Sequence, residues 1–167
     1  MKNGDIVEFK RKGFVSCVLG GLLKLFNPSW DAWGWHLGIL WEGSLDGWII
    51  LEATGTGVKI NWYSARYLMR NTRCWKWFDE TPSRASMNKF FKSHIDKKYD
   101  IEVYFWTALA VIVRHYINRP VSKILDEKYS CWELVQEFTA DMGKPIQSKY
   151  DVVLITDIIN TLKARTD

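Results

Sequence analysis

The sequence predicts an α+β domain in which helices flank an antiparallel sheet. Its first half alternates apolar and polar residues in short runs, which is typical of strands. Its second half carries apolar residues at helical spacing, with Gly and Pro at the boundaries. The chain has 167 residues, of which 47% are hydrophobic and 25% are charged. A single domain spanning residues 1–167 can therefore bury a core of its own.

Each predicted element is bounded by residues that stop or start regular structure. The five residues Gly43–Gly47 connect two apolar runs and begin and end with glycine, which predicts a β-hairpin. The predicted strands are Asp5–Lys10, Trp35–Trp41, Trp48–Ala53, Val58–Trp62 and Thr72–Phe78. The predicted helices are Gly13–Phe26, Pro82–His94, Asp100–Ile117, Ser130–Met142 and Thr156–Lys163.

Neither a membrane span nor a cleaved signal peptide is indicated. The longest apolar stretch, Tyr104–Val113, is about half the ~20 residues that a bilayer span needs. The N-terminal residues 1–5 run directly into a strand pattern without an apolar signal core. We therefore expect a cytoplasmic protein, or one exported by a route that needs no cleaved signal. A net charge of +4 is compatible with peripheral contact with an anionic membrane or cell wall, without demonstrating it.

The strongest local signal for chemistry surrounds Cys131. Ser130 and Glu133 match the capping box, in which each side chain bonds the other residue's free backbone N–H. Cys131 would then be the first residue of a helix, where the helix dipole favours a negative charge and hence the reactive thiolate. The backbone N–H groups there could bind a developing oxyanion. The alternative is a buried structural cysteine.

His36 is the best candidate for a base beside that thiol. In the strand Trp35–Trp41, the bulky residues alternate with His36, which therefore points away from the apolar core face. If the hairpin connector is symmetric about Leu45, Glu52 lies opposite Gly38 and on the same face as His36. A carboxylate that ends an apolar run is costly to bury unless it is paired. The three residues together would provide a nucleophile, a base and a group that orients the base.

The remaining cysteines and histidines are weaker candidates. Cys17 lies near the apolar face of the first predicted helix and is interpreted as a packing residue, and Cys74 has cationic neighbours but no nearby histidine in sequence. No Cys-x-x-Cys pair is present, so neither a zinc site nor a disulfide framework is suggested. His94 and His115 are interpreted as surface or hydrogen-bonded residues of helices. We expect no metal or cofactor.

Tryptophan is unusually abundant, with ten residues, four of them between positions 30 and 41. Core packing is the simpler explanation, because aromatic rings bury large areas. A wall of the substrate site is the alternative. Under it, the candidate substrate-binding residues around the nucleophile and the base are Trp33, Trp35, Tyr129 and Trp132.

Five short motifs, in order along the chain, resemble those of the circularly permuted NlpC-type papain-like hydrolases, including the YiiX-like branch and the relatives of lecithin retinol acyltransferase. They are Gly4-Asp5-Ile6-Val7, His36-Leu37-Gly38-Ile39, Glu52-Ala53, Tyr99-Asp100 and Cys131-Trp132-Glu133-Leu134-Val135. The order His before Cys is the mark of the permutation. Trp132 departs from the small residue that usually follows the nucleophile.

The resemblance implies a permuted papain-like fold with Cys131 as nucleophile, His36 as base and Glu52 as third polar residue. It also implies a cysteine peptidase or amidase that cleaves cell-wall peptides or related peptide and isopeptide bonds. Lipid acyl transfer, deacylation or thioester hydrolysis by the same triad is the second possibility. The substrate is then a peptide or an acyl compound of small size, and the oligomeric state stays open.

A non-catalytic binding module is the alternative from another class. Aromatic and basic residues interleave as in platforms that stack single-stranded nucleic acid, although alternate strand residues face opposite sides. These residues are Trp62, Tyr63, Arg66, Tyr67, Arg70, Arg73, Trp75 and Trp77. We do not expect nucleic acid as a partner.

Overall fold

The structure, a computed structural model, describes residues 1–12, 17–18, 20–21, 24–25, 33–100, 129–146 and 155–166. The helices predicted over 13–26 and 100–117 lie largely outside these ranges, and so do Trp30 and His115. The described part of the chain is α+β, with an antiparallel sheet of five strands and four helices. The prediction of that class is confirmed.

The five strands come from the first half of the chain, as the alternating pattern predicts. They are β1 Ile6–Lys10, β2 Gly34–Gly43, β3 Gly47–Thr54, β4 Gly57–Ser64 and β5 Thr72–Trp75. Their order across the sheet is β4-β3-β2-β1-β5, so β2 lies at the centre. β5 ends at Trp75, three residues before the predicted end, and the next aromatic residues, Trp77 and Phe78, pack into the core instead.

The β2–β3 hairpin pairs Glu52 with Gly38, as predicted, although the connector is not symmetric about Leu45. Nearer the turn, however, Glu42 pairs with Ile49 and Gly43 with Trp48. Trp41 is therefore an extra residue in β2, a β-bulge that the sequence pattern did not reveal. If the register beside the turn continued without this bulge, Glu52 would pair with Ile39, and its side chain would lie on the sheet face opposite to that of His36.

The sheet has apolar residues on both faces. The main core contains Leu37, Ile39 and Leu51 and is covered by helices from the second half of the chain. A smaller cluster on the other face contains Phe9, Leu40 and Ile50. The strand β2 thus contributes to two cores, and His36 belongs by register to the face of the smaller one.

Four helices surround the sheet. They are α1 Ala65–Asn71, α2 Arg84–His94, α3 Cys131–Asp141 and α4 Ile155–Thr166. The last three confirm the predicted helices at these positions, whereas α1 was not predicted. Its only buried residue is Leu68, so it lacks the apolar periodicity that identifies a helix. Ser64, whose side chain accepts a bond from the Tyr67 N–H at 3.2 Å, was the signal for its start.

Among the described residues, no helix combines the length and the apolar character that crossing a membrane requires.

Gly38 provides a test of how tightly the sheet is packed next to the candidate base. A Cβ atom at this position would lie 2.6 Å from Cγ2 of Ile50 and 3.4 Å from Cε2 of Phe9. We predict that Gly38→Ala lowers the free energy of unfolding by roughly 1–3 kcal/mol, because the small core must shift to accept the methyl group. Gly55→Ala is the matched control, since nothing lies within 4 Å of its added Cβ. Urea unfolding of both variants measures the difference, and equal stability of the two would contradict the described packing.

Candidate active site

Cys131 is the first residue of α3, and the predicted capping box is present. The Ser130 N–H donates to Oε2 of Glu133 at 2.8 Å, and the Glu133 N–H donates to Oγ of Ser130 at 3.3 Å. These two hydrogen bonds stabilise the first turn of the helix. They use the N–H groups of Ser130 and Glu133, so those of Cys131 and Trp132 are the donors that remain at this helix end within the described residues.

The segment that leads into α3 is fixed by backbone hydrogen bonds to another part of the chain. The Tyr129 N–H donates to the carbonyl of Lys98 at 2.9 Å, and the Asp100 N–H donates to the carbonyl of Tyr129 at 3.2 Å. Tyr99 and Tyr129 form an isolated parallel bridge. The Tyr99-Asp100 motif therefore holds the strand-like approach to Cys131, and Asp100 is completely buried there.

His36 lies at the start of β2, next to an irregularity in the strand. Phe9 pairs with His36, but Lys10 pairs with Gly34, so Trp35 is an extra residue in the ladder. A bulge bends the strand and increases its twist locally, and bulges of this kind redirect neighbouring side chains. The helix α3 packs over β2 and β3, and its first residue lies close enough to the His36 ring to influence its pKa.

The His36 ring joins the thiol to a carboxylate. Its Nε2 lies 2.5 Å from Oε2 of Glu52, which leaves Nδ1 as the nitrogen available to Cys131. Cys131 is the first of the groups that raise the pKa of the ring, so its side chain lies close to His36. Glu52 is thus hydrogen-bonded to the His36 ring and Cys131 acts on the same ring, so the structure brings together the three residues that the sequence predicts.

Charge on the two neighbours favours the imidazolium form of His36. Burial opposes protonation of the ring, but the negative charge of Cys131 and its hydrogen bond, followed by those of Glu52, raise the pKa of His36 to about 10. His36 keeps 28% of its side-chain surface exposed. The direction of the shift follows from these two partners, and it favours the protonated His36 ring at neutral pH.

Glu52 is 2% exposed, and it is ionised although it is buried. Burial by itself would raise its pKa, but the hydrogen bond and charge of His36 and the hydrogen bonds from Tyr63 and Asn61 lower the pKa below its usual value. The Asn61 Nδ2 and the Tyr63 hydroxyl both donate to Oε1 of Glu52, at 2.7 and 2.5 Å. These two residues were not predicted. Folding β4 back onto β3 would have revealed them, because both lie on the same sheet face as Glu52.

The other two cysteines lack this environment. Cys74 is half-buried, and its Sγ donates to Oδ2 of Asp5 at 3.4 Å. Burial and the Asp5 carboxylate raise the pKa of Cys74 to about 12, so its cationic neighbours in sequence do not activate it. Cys17 is exposed, which differs from the predicted packing role.

His94 is buried and fully engaged, as predicted for a hydrogen-bonded helical histidine. Its Nδ1 lies 2.7 Å from the carbonyl oxygen of Phe90, and its Nε2 lies 3.2 Å from Oε1 of Glu137. Its ring also stacks on Phe90, with centroids 3.9 Å apart. These contacts explain its place in the structure without a role in the site.

The four aromatic residues predicted to contact substrate have different environments. Trp35 and Trp132 are 8% and 2% exposed and pack in the main core, so the structure assigns these rings to packing and not to a wall of the substrate site. Tyr129 is half-buried and lies edge-on to His94. Trp33 is half-buried, and the Arg73 guanidinium lies 4.3 Å from its ring centroid. Trp33 and Tyr129 retain surface near the site.

The interleaved aromatic and basic residues do not share one surface. Trp77 is in the main core, Tyr63 bonds Glu52, and the Trp75 Nε1 donates to Oε2 of Glu8 at 3.1 Å. Trp62, by contrast, is 61% exposed.

Within the described ranges, no group of three or more His, Cys, Asp or Glu side chains is arranged to hold a metal ion. No family model matches this chain, and no curated protein matches it either.

Ser130 allows the capping of α3 to be separated from general stability. We predict that Ser130→Ala lowers the free energy of unfolding by about 1 kcal/mol and slows alkylation of Cys131 by iodoacetamide, because the first helical turn loses its cap. Ser83→Ala removes the N-cap of α2 and is the matched control. It should cost a similar amount of stability and leave alkylation unchanged. Equal alkylation rates in the two variants would contradict a role of this cap in presenting Cys131.

Proposed function

We propose that this protein is a cysteine hydrolase that cleaves an amide bond through an acyl-enzyme on Cys131, on a permuted papain-like fold of the NlpC type. The observation that supports the proposal most strongly is the His36–Glu52 hydrogen bond, with Cys131 close enough to the same ring to raise its pKa. Cys131, His36 and Glu52 are then nucleophile, base and orienting group. The order of His36 before Cys131 in the chain agrees with the permuted arrangement.

In the acylation step, the Cys131 thiolate attacks the carbonyl carbon of the substrate and forms a C–S bond. The tetrahedral oxyanion lies where the N–H groups of Cys131 and Trp132 can donate to it. When the intermediate collapses, the C–N bond breaks, and the His36 imidazolium gives its proton to the leaving amine. The raised pKa of His36 keeps this proton available across neutral pH.

In the deacylation step, neutral His36 takes a proton from water as that water attacks the thioester carbonyl. The C–S bond then breaks, the carboxylic acid leaves, and the thiolate–imidazolium pair forms again. Glu52 keeps the ring in one orientation throughout, and its negative charge stabilises the imidazolium form.

The substrate class we propose is a small peptide or isopeptide, including cell-wall peptides. Cys131 is 2% exposed, whereas the His36 ring retains an exposed edge. A substrate must therefore approach the sulfur along the His36 side, which favours a slender chain over a folded protein segment. The proposal includes no cofactor.

The test is direct capture of the acyl-enzyme. Incubation with a short peptide thioester should add the mass of the acyl group to the protein, and peptide mapping should locate it on Cys131. We predict that Cys131→Ala abolishes the adduct and that His36→Ala slows its formation by about 10⁴-fold or more. Cys74→Ser is the control, because the Cys74 thiol is hydrogen-bonded to Asp5 and should not contribute to adduct formation.

Amide turnover of muropeptides and deacylation of phospholipids are then measured with the same variants. Cleavage of the peptides that depends on Cys131 supports the proposed substrate class. Turnover restricted to phospholipids would overturn that class while retaining the acyl-enzyme. Absence of any adduct on Cys131 would overturn the proposed function.

A further inference from the structure

The buried end of the candidate triad has a layer of contacts of its own. Each oxygen of the Glu52 carboxylate has separate partners: Oε2 contacts His36, while Oε1 accepts from Asn61 and Tyr63. Two donors on one oxygen determine the rotation of the carboxylate plane. Oε2 is thereby directed at Nε2 of His36.

The donors on Oε1 offset the cost of burying the charged Glu52 carboxylate. A buried carboxylate loses the hydration that stabilises its charge, and a poorly paired one takes up a proton instead. Donors on Oε1 replace that hydration without competing for Oε2. Hydrogen bonds to a charged group are about twice as strong as neutral ones, so each donor contributes substantially to keeping the charge.

Tyr63 is itself held in place by aromatic neighbours. Its ring lies 5.2 Å from Phe9 and stacks on Tyr67 at 5.3 Å, with an interplanar angle of 22°. Phe9 also lies 5.3 Å from the His36 ring, so one apolar side chain touches both His36 and Tyr63. Burial and donation to Glu52 raise the pKa of Tyr63 above its usual range, so its hydroxyl remains a donor.

We propose that Tyr63 and Asn61 are positioning residues that hold the Glu52 carboxylate against His36 and thereby maintain the pairing of His36 with Cys131. The role of Tyr63 and Asn61 in catalysis rests on the proposed function. Their effect on the pairing of His36 with Cys131 is independent of any substrate. Neither residue contacts Cys131 or the substrate in this proposal. Both act through Glu52.

The experiment follows alkylation of Cys131 by iodoacetamide against pH, in a Cys17→Ser/Cys74→Ser background where Cys131 is the only thiol. At about pH 6 an ordinary thiol is protonated, so reaction there reports the paired thiolate. We expect Tyr63→Phe to slow alkylation about tenfold at pH 6, because one charge-assisted hydrogen bond is lost. The rates of the variant and the parent should converge toward about pH 10, where any thiol is ionised.

Tyr67→Phe is the matched control, since it removes a neighbouring hydroxyl that makes no hydrogen bond to Glu52 in the described structure. It should behave as the parent at every pH. In a Glu52→Gln background, most of the effect of Tyr63→Phe should disappear, because the charge through which Tyr63 acts is gone. A purely structural loss would lower the rate equally at all pH values, and so would overturn the inference.

Failure of this inference can be told apart from failure of the proposed function. Unchanged alkylation of Tyr63→Phe at pH 6, with an intact acyl-enzyme in the parent, would overturn the positioning role alone. If the parent protein forms no acyl-enzyme, the proposed hydrolase function is overturned. The pH dependence of alkylation still tests the positioning role of Tyr63 in that case. Where turnover is measured, Tyr63→Phe should lower kcat and leave KM unchanged, since Tyr63 does not bind substrate.

Discussion

The buried carboxylate of Glu52 is the constraint on which the site depends. An ionised group with 2% of its surface exposed persists only if its partners replace water. His36 supplies one of those partners and is in turn oriented by the bond. The requirement to pair Glu52 therefore selects the orientation of His36, and that orientation brings the ring to Cys131 at the start of α3.

The surrounding fold brings these groups together through several local features. The bulge at Trp35 lies beside His36, and the bulge at Trp41 sets the register that puts Glu52 opposite Gly38. The glycine leaves room for Phe9 and Ile50 on that face. On the helix side, the capping box closes the first turn of α3. The site thus lies where the irregular start of a strand meets the N-terminal end of a helix.

The sequence contains local signals for some of these features and not for others. The capping box is a motif of four consecutive residues, so its presence and the position of Cys131 could be predicted directly. The pairing of Glu52 with Gly38 was predicted from a connector symmetric about Leu45, whereas the turn is one residue out of that register and the bulge at Trp41 restores it. The compensating bulge at Trp41 could not be predicted, because it depends on how the twisted sheet packs on the helices.

The contacts of Asn61 and Tyr63 with Glu52 were not predicted from the sequence, for a different reason. Their strand was predicted, but their role depends on a second hairpin register and on which oxygen of Glu52 faces them. For Trp35 and Trp132, core packing was the simpler explanation and a substrate contact the alternative, and both rings pack in the main core. Alternation along β2 already places Trp35 on the core face with Leu37. Burial of a large ring outweighed its position in sequence.

The most direct measurement is an NMR titration of the ring of His36, assigned through a His36→Gln variant. We predict that the ring stays protonated through neutral pH and titrates at a pKa of about 10 in the parent protein. In Cys131→Ala the midpoint should fall, because the negative charge next to the ring is removed. A His36 ring that titrates near the ordinary value of about 6.5, and that does not respond to Cys131→Ala, would contradict the coupling of the thiol, the imidazole and the carboxylate.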